Sequence, residues 1–125
     1  MGLDMYLTGQ KYFHTNPAKD GGYEVKEHHL RLGYWRKHPN LHGYIVENFA
    51  DGEDNCREIE LSAEDIRQIL QAINDSALPF TEGFFFGESD GTEKQEDIHI
   101  FTKALEWLLQ KDEVAWRSVV YQASW

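Results

Sequence analysis

Glu58-Ile59-Glu60-Leu61-Ser62-Ala63-Glu64-Asp65-Ile66-Arg67-Gln68-Ile69-Leu70-Gln71-Ala72-Ile73 joins a short extended piece to the best-marked helix of the chain. Ile66, Ile69, Leu70 and Ile73 recur at helical spacing and form one apolar face. Ser62 stands at the start of that run, where its hydroxyl can accept from an early backbone amide. Asp65, three residues on, takes the place of the usual capping-box glutamate. The helix must stop before Leu78-Pro79, because the residue before a proline avoids the helical region.

Working outward, Leu3-Asp4-Met5-Tyr6-Leu7-Thr8 alternates apolar and polar side chains, and the strand continues through Tyr12-Phe13. Asn16-Pro17 and Asp20-Gly21-Gly22 are turn punctuation. A second extended segment runs from Tyr23 to Trp35, with Val25, Glu27 and His29 on one face and Leu30, Leu32 and Tyr34 on the other. The two make a hairpin with a long loop. Pro39 suits the first turn of a helix whose stripe is Leu41, Tyr44, Ile45 and Phe49, closed by the acidic turn Asp51-Gly52-Glu53-Asp54-Asn55. Ile98, Phe101, Leu105, Leu108 and Leu109 mark a third helix, and Ala115 to Ala123 a last strand. Between them lies Gly83-Phe84-Phe85-Phe86-Gly87, a strand buried on both faces or a loop plugging the core. This order predicts a single α+β domain over residues 1–125: a mostly antiparallel sheet of three to four strands covered by about three helices.

Composition narrows the setting. The chain has 125 residues, 41% of them hydrophobic, too apolar for a disordered tail. Seventeen residues are aromatic, so the core is built from large rings or some rings are displayed. The lone cysteine, Cys56, rules out an internal disulfide framework and fits a reducing cytoplasm. No apolar run approaches the ~18 residues of a membrane helix. The start lacks the layout of a signal peptide, and Leu7 stands where a myristoylation pattern needs Ser or Thr. A soluble cytoplasmic protein without a membrane partner is expected.

The net charge is −10, and residues 43–125 hold six basic residues against eighteen acidic ones. That balance argues against direct nucleic-acid binding, which rests on cations neutralising phosphates. It suits a soluble surface, or an acidic face offered to a basic protein. Residues 1–42 are mildly basic, with six Lys and Arg against four Asp and Glu, the one region that would welcome an anionic ligand.

No P-loop, dinucleotide glycine fingerprint or nucleophile elbow occurs, and no cofactor is expected. His38 and His42 have the spacing of two metal ligands on one helical face, with Cys56 as a conceivable third. The pair lacks the glutamate of the familiar zinc motif, and ordinary cap and surface histidines are the expectation. In Gly33-Tyr34-Trp35-Arg36-Lys37, alternation puts Trp35 with Lys37 and Tyr34 with Arg36, a ring beside a cation on either face. The ordinary reading buries Trp35 and pairs the cations with acidic surface. Trp125, as the last residue of the given sequence, is either docked or waiting for a partner.

Five ordered motifs carry a resemblance over essentially the whole chain: Met1-Gly2-Leu3-Asp4-Met5-Tyr6-Leu7; Gly33-Tyr34-Trp35-Arg36-Lys37 with Leu41-His42; Asp51-Gly52, Asp54 and Cys56; Leu78-Pro79 with Gly83-Phe84-Phe85-Phe86-Gly87; and Tyr121, Ala123-Ser124-Trp125. The chain resembles a family of small uncharacterised proteins encoded by bacteriophages and prophages. The resemblance implies synthesis inside a bacterium and brings no catalytic residues.

Three functions are then open. The first is non-enzymatic binding of a bacterial host protein, in host takeover or counter-defence, anchored by Trp125 and Trp35. The second is binding of a small anionic or nucleotide-like ligand by Trp35, Arg36 and Lys37, closed over by Phe85 or Phe86 and Tyr121. The third, an enzyme, requires His42, Cys56 and Asp54 to converge in one cleft.

Overall fold

The computed structural model describes residues 3–14, 18–36, 38–79, 94–111 and 115–124. In chain order these form β1 (Asp4–Phe13), β2 (Ala18–Asp20), β3 (Tyr23–Val25), β4 (Glu27–Arg36), α1 (Pro39–Phe49), β5 (Ile59–Leu61), α2 (Ala63–Asn74), α3 (Lys94–Leu108) and β6 (Ala115–Ser124). Four strands pair antiparallel in the order β4-β1-β6-β5, and β2 with β3 forms a separate two-stranded arm. The arm turns through Gly21 and Gly22, whose φ angles of 58° and 86° suit a two-residue hairpin loop. The α+β expectation, with an antiparallel sheet and three helices, therefore holds.

Alternation on β1 sorts the two faces of the sheet. Met5 and Leu7 point inward, joined by Val119, Tyr121 and Ala123 of β6 and Ile59 and Leu61 of β5. Leu41 and Ile45 of α1, Ile66, Ile69 and Ile73 of α2, and Phe101 and Ala104 of α3 close over them in one core. All three helices thus cover the same face. Each fully buried Ile or Leu adds at most about 1.5–3 kcal/mol. At the start of α2, Ser62 Oγ accepts from the Asp65 amide at 3.1 Å and Asp65 returns the bond to the Ser62 amide at 2.9 Å. That reciprocal cap, worth roughly 1 kcal/mol, is the one read from sequence.

One sequence expectation is corrected on β4. Leu7 lies opposite Gly33 but Thr8 opposite Arg31, so Leu32 is an extra residue, a β-bulge. The bulge resets the alternation. Leu32 packs on the core and Gly33 and Trp35 face it, whereas Tyr34 turns to the outer face instead of sharing one with Leu30 and Leu32. The third helix ends at Leu108, and Leu109 is exposed rather than part of its apolar stripe. Phe84–Phe86 lies outside the described residues.

Gly33 and Gly9 let α3 settle on the sheet. A Cβ on Gly33 would stand 2.6 Å from Ile100 Cγ2 and 3.0 Å from the Trp35 ring; one on Gly9 would stand 2.9 Å from the Trp107 ring. Gly33→Ala is therefore expected to cost about 1–3 kcal/mol by overpacking, read as a lower urea midpoint. An unchanged midpoint would show that α3 can shift freely.

Candidate functional site

The sequence candidates separate by layer. Trp35 is core: 5% exposed, it lies against Phe101 with ring centroids 5.4 Å apart. Its Nε1–H donates to Asp97 Oδ1 at 2.6 Å, and His38 Nε2 meets Asp97 Oδ2 at 2.7 Å. Asp97, only 1% exposed, thereby ties β4, the start of α1 and the first turn of α3 together. Arg36 is exposed on the opposite side of β4 from Trp35. Lys37, Phe85, Phe86 and Trp125 lie outside the described residues.

His42 and Tyr121 meet beneath the β5 edge of the sheet. His42 Nδ1 lies 2.6 Å from Tyr121 Oη, and Nε2 lies 2.9 Å from both Asp54 oxygens. Local backbone geometry makes this possible. Asp51 and Gly52 adopt positive φ angles of 53° and 77°, and the Gly52 amide donates back to Val46 O at 3.0 Å. The chain folds back on α1 and returns Asp54 to His42. Burial, reinforced by the Asp54 charge, pushes the Tyr121 hydroxyl well above the usual phenol range. The simplest proton arrangement then has Tyr121 donating to Nδ1 and the Nε2 proton shared with Asp54.

A cleft of about 10 Å³, one water's worth, opens among His42, Asp54, Cys56 and Tyr121, walled by Val46 and Ile59. The convergence an enzyme would require is thus met by position. The chemistry is not arranged for it: both imidazole nitrogens are already committed to Tyr121 and Asp54, leaving neither to take a proton from the Cys56 thiol. His38 and His42 go to different carboxylates, and no group of three or more His, Cys, Asp or Glu fit to hold a metal occurs among the described residues.

The raised Tyr121 hydroxyl has a consequence for alkaline stability. The unfolded phenol loses its proton near pH 10 while the folded one keeps it, so the folded state binds more protons. Stability is whole below about pH 10 and falls as pH rises through the higher folded value. Tyr121→Phe is expected to lose about 1–3 kcal/mol at neutral pH, since His42 loses a partner, and to show a shallower alkaline decline. Urea titrations at pH 8 and above pH 10 check this; equal slopes would refute it.

The outer face of the sheet is different in kind. There Tyr12 of β1 stacks on Trp116 of β6, centroids 6.0 Å apart, with His14 4.9 Å from the same indole. Trp116 is 66% exposed and Tyr12 45%. At the other end Tyr6 and Tyr34 pair at 5.2 Å, the Arg31 guanidinium lying 5.5 and 5.8 Å from their rings. Between the two clusters stand the uncharged Thr8, Gln10, Ser118 and Val120, which the register places side by side. Sequence reasoning missed this face. Its signal was the wrong-phase aromatics: Tyr6 and Tyr12 fall on β1 positions that alternation assigns to solvent. Asp97 was missed as well, although it shares the helical stripe of Phe101 and Ala104.

Comparison with protein families, with curated proteins and with solved structures finds no match to this chain.

Proposed function

We propose that this chain is a phage-encoded accessory protein that binds a bacterial host protein in the cytoplasm without catalysing a reaction, and that the outer sheet face is its contact surface. The observation that carries the reading is Trp116 stacked on Tyr12 on a face the three helices leave uncovered. A solvent-facing pair of rings offers large area at small entropic cost, and Trp, Tyr and Arg are the residues that dominate binding energy at interfaces. The uncharged strip between the two aromatic clusters adds a centre that can dry on docking. Five motifs resembling phage and prophage proteins support the setting. No helix among the described residues is long and apolar enough to cross a membrane.

The nucleotide alternative loses support from the layering. Trp35 and Arg36 project to opposite sides of β4, and Tyr121 is fully buried against His42. The test is retention of a host protein from bacterial lysate by the wild-type chain and by a Tyr12→Ala, Trp116→Ala variant. The reading expects the partner to be lost with the two rings; equal retention removes the outer face from the account.

A further inference from the structure

Residues 51–58 run along the edge of the fold without entering its core. Each of them is exposed, while the flanking Ala50 and Ile59 are buried. The segment therefore brings no buried apolar anchor of its own, the mark of a region that opens at less than the cost of global unfolding. Its backbone is also strained. Asp51, Gly52 and Cys56 adopt φ angles of 53°, 77° and 61°. Glycine takes that left-handed region freely and aspartate tolerates it, whereas cysteine meets a steric penalty there.

What holds the segment is polar. At its start the Gly52 and Glu53 amides donate to Val46 O and Ala50 O at 3.0 and 2.9 Å, which sets a hinge on the end of α1. Beyond the hinge, two side-chain tethers reach the body of the fold among the described residues. Asp54 meets His42 Nε2 with both oxygens at 2.9 Å, beneath the sheet. Gln122 Nε2 donates to Cys56 O at 3.0 Å, and Gln122 stands opposite Tyr6, on the outer face. The Arg57–Glu53 ion pair and the bond from the Arg57 amide to Asn55 stay inside the segment. The segment is thus a strap passed round the β5 edge of the sheet and pinned on both sides. Under it lie the His42 imidazole, the Tyr121 hydroxyl and the water-sized cleft walled by Val46 and Ile59.

We propose that residues 51–58 open as a unit about the Asp51–Gly52 hinge and uncover the His42 imidazole and its cleft, while the sheet and helices stay folded. Closed, Asp54 occupies His42 Nε2 from within the chain. Open, that nitrogen and the apolar wall of Val46 and Ile59 face solvent together. The strap is a gate on this cleft, set by two tethers and one strained cysteine.

The test is labelling of the full chain with diethyl pyrocarbonate at neutral pH, followed histidine by histidine by peptide mass spectrometry. His42 and His38 are 2% and 4% exposed, but His38 is held by Asp97 outside the strap and serves as the control for unfolding. His42 is expected to label roughly tenfold or more faster than His38. Gln122→Ala removes a tether without touching the imidazole and is expected to speed His42 severalfold. Asp54→Ala is expected to speed it about tenfold or more, with His38 unchanged in both. Cys56→Gly is expected to label at His42 more slowly than Cys56→Ala, since both lose the thiol and glycine alone takes the left-handed turn without penalty. Equal rates at His42 and His38, or rates that rise together in the Gln122→Ala chain, mean that His42 is reached by unfolding and overturn the strap. An unchanged His42 rate in Gln122→Ala overturns it too, as does a Cys56→Gly chain that labels as fast as Cys56→Ala.

Discussion

Asp97→Ala is expected to destabilise the fold by about 3–5 kcal/mol, the largest effect of any single substitution considered. The carboxylate is buried and holds two donors at once, the Trp35 indole at 2.6 Å and the His38 imidazole at 2.7 Å. Removing it leaves an indole N–H and an imidazole nitrogen each without this partner in a dry interior, and opens a void where three elements meet. Against a typical total stability of about 5–15 kcal/mol, that loss is a large fraction. Asp97→Asn keeps the volume and one acceptor, so a smaller loss is expected. Trp35→Phe removes one donor while preserving most of the packing on Phe101. A double-mutant cycle between Asp97→Asn and Trp35→Phe, read by urea unfolding, is expected to give a coupling energy of roughly 0.5–3 kcal/mol. Additive losses would show that the 2.6 Å contact does not stabilise the fold.

The second large effect concerns binding. Truncating an interface anchor of the tryptophan or tyrosine type costs about 2 kcal/mol or more, so Tyr12→Ala with Trp116→Ala is expected to weaken partner binding roughly a hundredfold or beyond. The two rings stack on each other, so their losses should be non-additive: either substitution alone removes part of the support for the other. Neither ring belongs to the buried core, so the double variant is expected to stay folded and to lose only about 1 kcal/mol of unfolding free energy, the scale of one cross-strand aromatic pair. Trp35→Phe supplies the contrast. It should cost stability through Asp97 and leave binding unchanged, because Trp35 faces the interior. On the proposed function, the two tryptophans separate a structural role at Trp35 from a contact role at Trp116.

What the sequence made legible was local. The Ser62–Asp65 cap, the Pro39 start of α1 and the alternation of β1 each depend on residues within a few positions of one another, and each stands in the structure as expected. What escaped depends on pairing between distant segments. The bulge at Leu32 exists only relative to Leu7 and Thr8, and it decides that Trp35 is core while Tyr34 is surface. Asp97 reads as a first-turn helix acid, a common and ordinarily exposed role, until β4 brings an indole to it across 62 positions. The meeting of His42 with Tyr121 spans 79 positions and needs α1 packed against β6. Rings on strands default to the core, and that default hid Tyr12 and Trp116.

On the proposed function, this chain works by contact through its outer sheet face. Native mass spectrometry compares the wild-type protein, gently purified from bacterial lysate, with the Tyr12→Ala, Trp116→Ala variant prepared in parallel. The expected result is a wild-type complex carrying the mass of a host protein and a variant that runs alone while still folded. A partner retained equally by both, or a small-molecule mass increment on both, would contradict it.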